Sequence, residues 1–355
     1  MKIRKLLLFA LLIFFSLACS LVSAPLVTNP SADLAATQNA LALTQIAITN
    51  QQSSVPIEPT QSQSAESEEP VSEPNQFIVA TSFGPAVQWA TGGCNKECHF
   101  ADVNGDGLVD YIAEDNDGIY VLISNGSSFT TAQKWATGGC DKGCYFADVN
   151  GDGKADYIAE DNDGIYVLLS TGSGFSTAQK WATGGCDKAC HFADVTGDGK
   201  ADYIVEDNDG IYVLPSTGNG FAIHTQWATG GCNKACYFAD VTGDGKADYI
   251  AEDNDGIYVL PSTGSNFATY SQWASGGCDR ACYFVDVTGD KVADYIAEDN
   301  NGIYVLPSTG SNFAIYSQWA SGGCDKACHF GDVNGDGIGD YIVEDNNGIF
   351  VLLAQ

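Results

Sequence analysis

The residues best equipped for chemistry lie in one nine-residue run, Asp102-Val103-Asn104-Gly105-Asp106-Gly107-Leu108-Val109-Asp110, and in five further copies of it. Oxygen-bearing side chains occupy positions one, three, five and nine of each copy. They are Asp102, Asn104, Asp106 and Asp110; Asp148, Asn150, Asp152 and Asp156; and Asp194, Thr196, Asp198 and Asp202. The later copies supply Asp240, Thr242, Asp244 and Asp248; Asp286, Thr288, Asp290 and Asp294; and Asp332, Asn334, Asp336 and Asp340. With a backbone carbonyl at position seven, each set suits a hard cation that wants six to eight oxygens at about 2.3–2.6 Å. Glycine lets the backbone turn tightly around the ion, and three neighbouring carboxylates repel without a counter-charge. One such run is an ordinary turn. Six at one interval predict calcium as cofactor, up to six ions per chain.

The six loops are unequal. Thr196, Thr242 and Thr288 replace the amide oxygen of position three with a poorer hydroxyl ligand. The fifth loop also has Lys291 where the others have Gly, which predicts backbone strain, an added positive charge and the weakest site. An EF-hand is excluded because it needs Glu at position twelve and flanking helices; here Ala113 stands at that position. A dockerin fails for want of the same helices.

A second repeated motif is Gly-Gly-Cys-x-(Lys/Arg)-x-Cys. In an exported chain its close pairs read as six local disulfides: Cys94–Cys98, Cys140–Cys144, Cys186–Cys190, Cys232–Cys236, Cys278–Cys282 and Cys324–Cys328. Zinc is the competing use, since His99 follows Cys98, but Tyr145, Tyr237 and Tyr283 occupy that position in other copies. Redox catalysis favours a Cys-x-x-Cys spacing, which is absent.

The elements that must hold these motifs follow from the period. Trp89, Trp135, Trp181, Trp227, Trp273 and Trp319 are 46 residues apart, as are Phe83, Phe129, Phe175, Phe221, Phe267 and Phe313. Within one unit, Tyr145–Val149, Asp156–Glu160, Ile165–Leu169 and Phe175–Trp181 read as four short strands. The Asp-rich loop and the turn Asn162-Asp163-Gly164 separate the first three. No stretch has useful helical periodicity. Four strands per unit predict an all-β fold, a six-bladed β-propeller. The array opens with a lone fourth strand, Phe83–Trp89, and ends after three strands of the last unit. The N-terminal strand is therefore expected to close the ring and remove free edges; a β-solenoid would lack these complementary ends.

The core Asp-x-(Asn/Thr)-Gly-Asp-Gly-x-x-Asp, repeated over residues 83–355, resembles the FG-GAP/VCBS repeats of calcium-loop β-propellers. Such propellers occur in integrin ectodomains and many bacterial surface proteins. The resemblance implies loops on one face of the ring that support the blades without doing chemistry. The Cys pairs and the Trp are additions to that core.

At the N-terminus, Lys2, Arg4 and Lys5 precede an apolar run from Leu6 to Ala18, too short to span a bilayer and typical of a signal peptide, residues 1–18. Leu17-Ala18-Cys19-Ser20 resembles a bacterial lipobox, with Ser16 departing from its usual Leu. That implies a lipid anchor on Cys19, the Cys left over from the six pairs, and export to the bacterial cell surface; cleavage after Ala24 with free secretion is the alternative. Residues 19–76 are expected to form a tether, with a short helix over 33–50 and a Ser/Gln/Glu/Pro-rich stretch from 49 spanning about 30 Å. The propeller is expected over 77–355.

With 45 acidic and 15 basic residues, net charge −30, the chain lacks the basic footprint of a nucleic-acid binder. No catalytic constellation or phosphate-binding Gly loop is present, and near-identical units argue against one asymmetric active site, so no enzyme is expected. Strand direction places Lys96, Lys142, Lys188, Lys234, Arg280 and Lys326 beside acidic hairpins such as Glu114-Asp115-Asn116-Asp117-Gly118, on the face opposite the Asp-rich loops. This face reads either as solvated ion pairs or as repeated shallow sites; the Trp ring reads as inter-blade packing or sugar stacking. The expected partner is a surface protein or a glycan, in a binding or adhesion module or a lectin. Membrane contact is expected only through the N-terminal lipid.

Overall fold

The computed structural model describes residues 79–355; the expected signal, Cys19, the helix over 33–50 and the rest of the tether lie outside the described residues. Six antiparallel four-stranded sheets form the ring, and no helix occurs among the described residues. The first blade is built from Glu97–Ala101, Asp110–Asp115, Gly118–Leu122 and Gln133–Thr137. Four more blades repeat this order. The sixth takes three strands from the C-terminus and its fourth, Val87–Thr91, from the N-terminus, where it pairs with Gly348–Leu352. Between neighbouring blades the strand backbones come closest at the first strands, which therefore line the centre.

The second and third strands of each blade, buried between neighbouring sheets, carry the fully buried isoleucines. Ile112 and Ile119, Ile158 and Ile165 and their repeats have no solvent exposure. A β-branched side chain packs well on such a pleated, two-sided surface.

The fourth strand differs from its expected position. Phe175 makes only an isolated bridge to Ser170, and the paired strand is Gln179–Thr183. In every blade the register then slips by one residue, leaving the Trp as the extra residue of a bulge; in the second blade Ile165 faces Ala182 and Tyr166 faces Lys180, with Trp181 between. A bulge re-aims the side chain it contains. Each Trp is thus turned edge-on to the Phe of the next blade, as in Trp89–Phe129 at 5.1–5.4 Å from ring to ring with the equivalent Phe83–Trp319 pair. Trp89, Trp227, Trp273 and Trp319 are buried, so packing accounts for these four, whereas Trp135 and Trp181 are half-buried.

The blades are also clasped through the Asp-rich loops. The backbone carbonyl at position one of each loop accepts a hydrogen bond from position eight of the next, as in Ala155 N to Asp102 O at 2.7 Å, and Val109 N to Asp332 O at 2.7 Å completes the circle. Ser124, Ser170, Ser216, Ser262 and Ser308 each donate a buried hydroxyl to a valine carbonyl of the preceding blade.

Ring closure makes Phe83 equivalent to a mid-ring residue. It packs on Trp319, Phe330 and Tyr341, as Phe129 packs on Trp89, Phe100 and Tyr111. Phe83→Ala and Phe129→Ala are therefore expected to cost the same, about 3–5 kcal/mol each. Chemical denaturation showing a much smaller loss for Phe83→Ala would mean an open ring.

Candidate functional site

In the first Asp-rich loop, Asp102 accepts from Gly105 N and Gly107 N at 2.7 and 2.8 Å, and Asp106 from Leu108 N at 2.9 Å. Gly105 and Gly107 take φ of 81° and 85°, a conformation that costs other residues about 1–2 kcal/mol. Asp110 is different. It is fully buried, and its carboxylate accepts from Val103 N at 3.1 Å and Ser124 N at 2.8 Å. It thereby ties the Asp-rich loop to the turn between the third and fourth strands.

Burial pushes the Asp110, Asp156 and Asp340 carboxyls up to about 7, with the loop's other aspartates adding to the effect. Where position three is Thr, Asp202, Asp248 and Asp294 rise by desolvation only to about 6. There the threonine donates a further hydrogen bond, Thr196 N to Asp202 at 3.0 Å and Thr242 N to Asp248 at 3.0 Å. The donor set of every loop is all oxygen, and its deepest carboxylate has no cationic partner, so the residues fit a hard divalent ion that would neutralise them. The protein alone does not bring three carboxylates of one loop within 4.8 Å of each other; among the described residues only Glu97, His99 and Glu114 meet that measure. In the second, third and fourth loops the lysine at position seven pairs with the aspartate at position five, as in Lys200–Asp198 at 2.7 Å.

The fifth loop keeps the common backbone path at a cost. Lys291 has φ of 69°, the only non-glycine with positive φ among the described residues, and its N–H still reaches Asp286 at 2.7 Å. The hydroxyl of Thr288 beside it is buried without a partner. Lys291→Gly is expected to stabilise the protein by about 1 kcal/mol, read as a rise in melting temperature; a fall would show that Lys291 is held by something other than loop geometry.

On the opposite face all six Cys pairs are closed as disulfides, which removes the Cys98–His99 zinc alternative. The acidic hairpins are not merely solvated. Glu114, Glu160, Glu206, Glu252, Glu298 and Glu344 are buried, each paired with the Lys or Arg of its own blade at 2.8–3.5 Å. In the second, fourth and fifth blades a tyrosine hydroxyl also donates to the glutamate, as in Tyr283 to Glu298 at 3.3 Å.

The other blades carry His99, His191 and His329 at that position, each with a buried Nε2 that has no partner. Desolvation lowers all three to about 4. A base depressed in the folded state contributes stability above its unfolded pKa of about 6.5, lost as pH falls through about 4. The double variant His191→Tyr/His329→Tyr is expected to gain stability relative to the parent as pH is lowered from 6.5 to 4, by roughly 3 kcal/mol per site. Parallel melting-temperature curves for the two proteins across that range would refute it.

One feature went unnoticed in the sequence. Where the repeat has Ala86, Ala132 and Ala178, the next three units have His224, Tyr270 and Tyr316. Each stands edge-on to the third-strand tyrosine of its blade: Tyr212–His224 at 5.7 Å, Tyr258–Tyr270 at 5.9 Å and Tyr304–Tyr316 at 5.7 Å. These pairs wall three consecutive crevices between blades, with volumes of about 320, 330 and 290 Å³. The Gly-Gly turn of the preceding blade forms the other wall, and Asp207, Asp253 or Asp299 adds a carboxylate. In the first two blades Lys134 and Lys180 lie over the corresponding Tyr120 and Tyr166 rings and pair with Asp117 and Asp163. The broken period, alanine to aromatic, was the available signal.

These sheets and their order define a six-bladed β-propeller. The FG-GAP-like repeat family matches residues 102–159, 148–205 and 194–251, so this stretch of the ring is similar to FG-GAP repeats. No curated protein matches the sequence significantly. Among solved structures, an Agrocybe aegerita lectin described for recognition of non-reducing terminal N-acetylglucosamine is 23% identical. The alignment covers 78% of this chain and 81% of that one at a TM-score of 0.55. The Tc holotoxin pore of Photorhabdus luminescens is 14% identical over 77% of this chain and 15% of its own, at a TM-score of 0.58. At these identities both likenesses concern the fold.

Proposed function

We propose that the protein is a calcium-stabilised binding propeller, exported and tethered by lipidated Cys19, whose partner is a surface glycan. The observation that carries this reading is the run of three aromatic-walled crevices at consecutive blade junctions. A tyrosine face beside a carboxylate and backbone amides suits a sugar ring, which offers C–H groups on one side and hydroxyls at its edge. Three equivalent sites on one rigid body raise avidity for a clustered ligand without any new contact. The Agrocybe aegerita lectin makes terminal N-acetylglucosamine the first sugar to try. In the same reading the six Asp-rich loops each hold one calcium ion through the residues at positions one, three, five and nine. The ions' part is to neutralise buried and crowded carboxylates and so keep the blades clasped. Catalysis is not part of the proposal.

Four of the exposed large apolar side chains, Ile223, Tyr270, Ile315 and Tyr316, lie on the same three blades, which favours a surface protein as the second reading for an adhesion module. A glycan array separates the two. Calcium-loaded protein is expected to bind a defined set of terminal sugars, and the triple variant His224→Ala/Tyr270→Ala/Tyr316→Ala to lose that binding at least about tenfold while melting normally. Chelation is expected to lower the melting temperature of both proteins alike. An array silent with calcium present would overturn the glycan reading, and a melting temperature indifferent to chelation would overturn the calcium reading.

A further inference from the structure

The first blade departs from its neighbours at one point on the inner strand. Glu97 stands where the other blades have Gly143, Ala189, Ala235, Ala281 and Ala327. In the sheet it lies directly opposite Glu114 of the second strand, and like charges in that relation destabilise a strand pair. His99, two residues on, faces the same side of the strand. Ligand atoms of Glu97, His99 and Glu114 all lie within 4.8 Å of one another, the only such cluster among the described residues.

We propose that Glu97, His99 and Glu114 form a binding site for one first-row divalent transition metal ion, zinc foremost, at the junction of the first and second blades. Imidazole with two carboxylates is a nitrogen–oxygen set that suits zinc, unlike the all-oxygen loops. Each ligand is available. His99 Nε2 is buried with no hydrogen-bond partner. Lys96 Nζ engages Oε1 of Glu114 at 3.0 Å. In the second blade Tyr145 donates to the Oε2 of Glu160, whereas among the described residues no donor reaches Oε2 of Glu114. The metal takes the place of that hydroxyl. Glu97 is exposed, while Glu114 is buried and the His99 ring packs on Phe146 of the second blade, 5.0 Å from ring to ring. Two ligands are therefore held and the third closes over them. The third and sixth blades have the same histidine and glutamate but alanine in place of Glu97, and serve as internal negatives. Three protein ligands leave a coordination position for water or an incoming group.

The test is zinc calorimetry on the oxidised full-length protein with the Asp-rich loops first saturated with calcium. One equivalent is expected to bind. Glu97→Ala and His99→Tyr, which install residues other blades already carry, are each expected to weaken it at least about 100-fold with no loss of melting temperature in the absence of zinc, Glu97→Ala even gaining slightly from the lost repulsion. Anomalous scattering from zinc-soaked crystals is expected to place the ion among the three side chains, which keeps the proposal testable if a variant folds poorly. No saturable binding by the parent, zinc located only elsewhere, or full affinity in both variants would overturn it.

Discussion

Everything in this ring is arranged around a carboxylate that has been taken out of water. Asp110 and its five repeats are fully buried and hold two things together, the Asp-rich loop on one side and the turn after the third strand on the other. That second turn carries the serine whose hydroxyl reaches the preceding blade. The path from charge to architecture is therefore short: carboxylate to turn, turn to neighbour. An ionised carboxylate kept in a dry site without a cation is costly. The fold answers with N–H donors, and its composition supplies the other aspartates that a cation would bridge. Threonine at position three adds an N–H donor to the buried carboxylate, so blades that look identical in outline differ in how their loops satisfy it.

Most of the architecture was legible in the sequence because repetition multiplies weak signals. One Asp/Gly cluster or one Cys pair says little; six at a 46-residue interval fixed blade number, strand count and the pairing of the two chain ends. Less legible were the features that depend on register. The bulge that turns Trp181 toward Phe221 needs one residue to drop out of pairing, and no alternation in Gln179–Thr183 announces it. The burial of Glu114 was likewise hidden, since an acidic hairpin looks solvated until the lysine of its own blade is seen folded over it. The aromatic crevices escaped for a different reason: a period trains the eye on what is constant, whereas His224, Tyr270 and Tyr316 are what changes.

The division between constant and changing residues has a physical logic. Residues that face the next blade are held by packing and cannot vary alone, so Ile, Val, Phe and Trp recur with little change. Positions on the flank are free to diverge. Lysine over tyrosine in the first two blades and a second aromatic in the next three make one side of the ring chemically unlike the other. Glu97 is the same phenomenon on the inner strand. A sixfold scaffold thereby presents surfaces of lower symmetry.

The seam of the ring is built differently from its other joints. The sixth blade has Ala354 where the rest carry the serine tie, and the junction is fastened instead by Ala80 N to Thr288 O at 3.1 Å. Thr288 belongs to the one loop whose turn is made by a lysine in a left-handed conformation. Mechanical load pulling on the chain ahead of Ala80 would thus be delivered first to the fifth loop, the most strained of the six. Tension on the chain and strain in the loop thereby meet at a single point of the circumference.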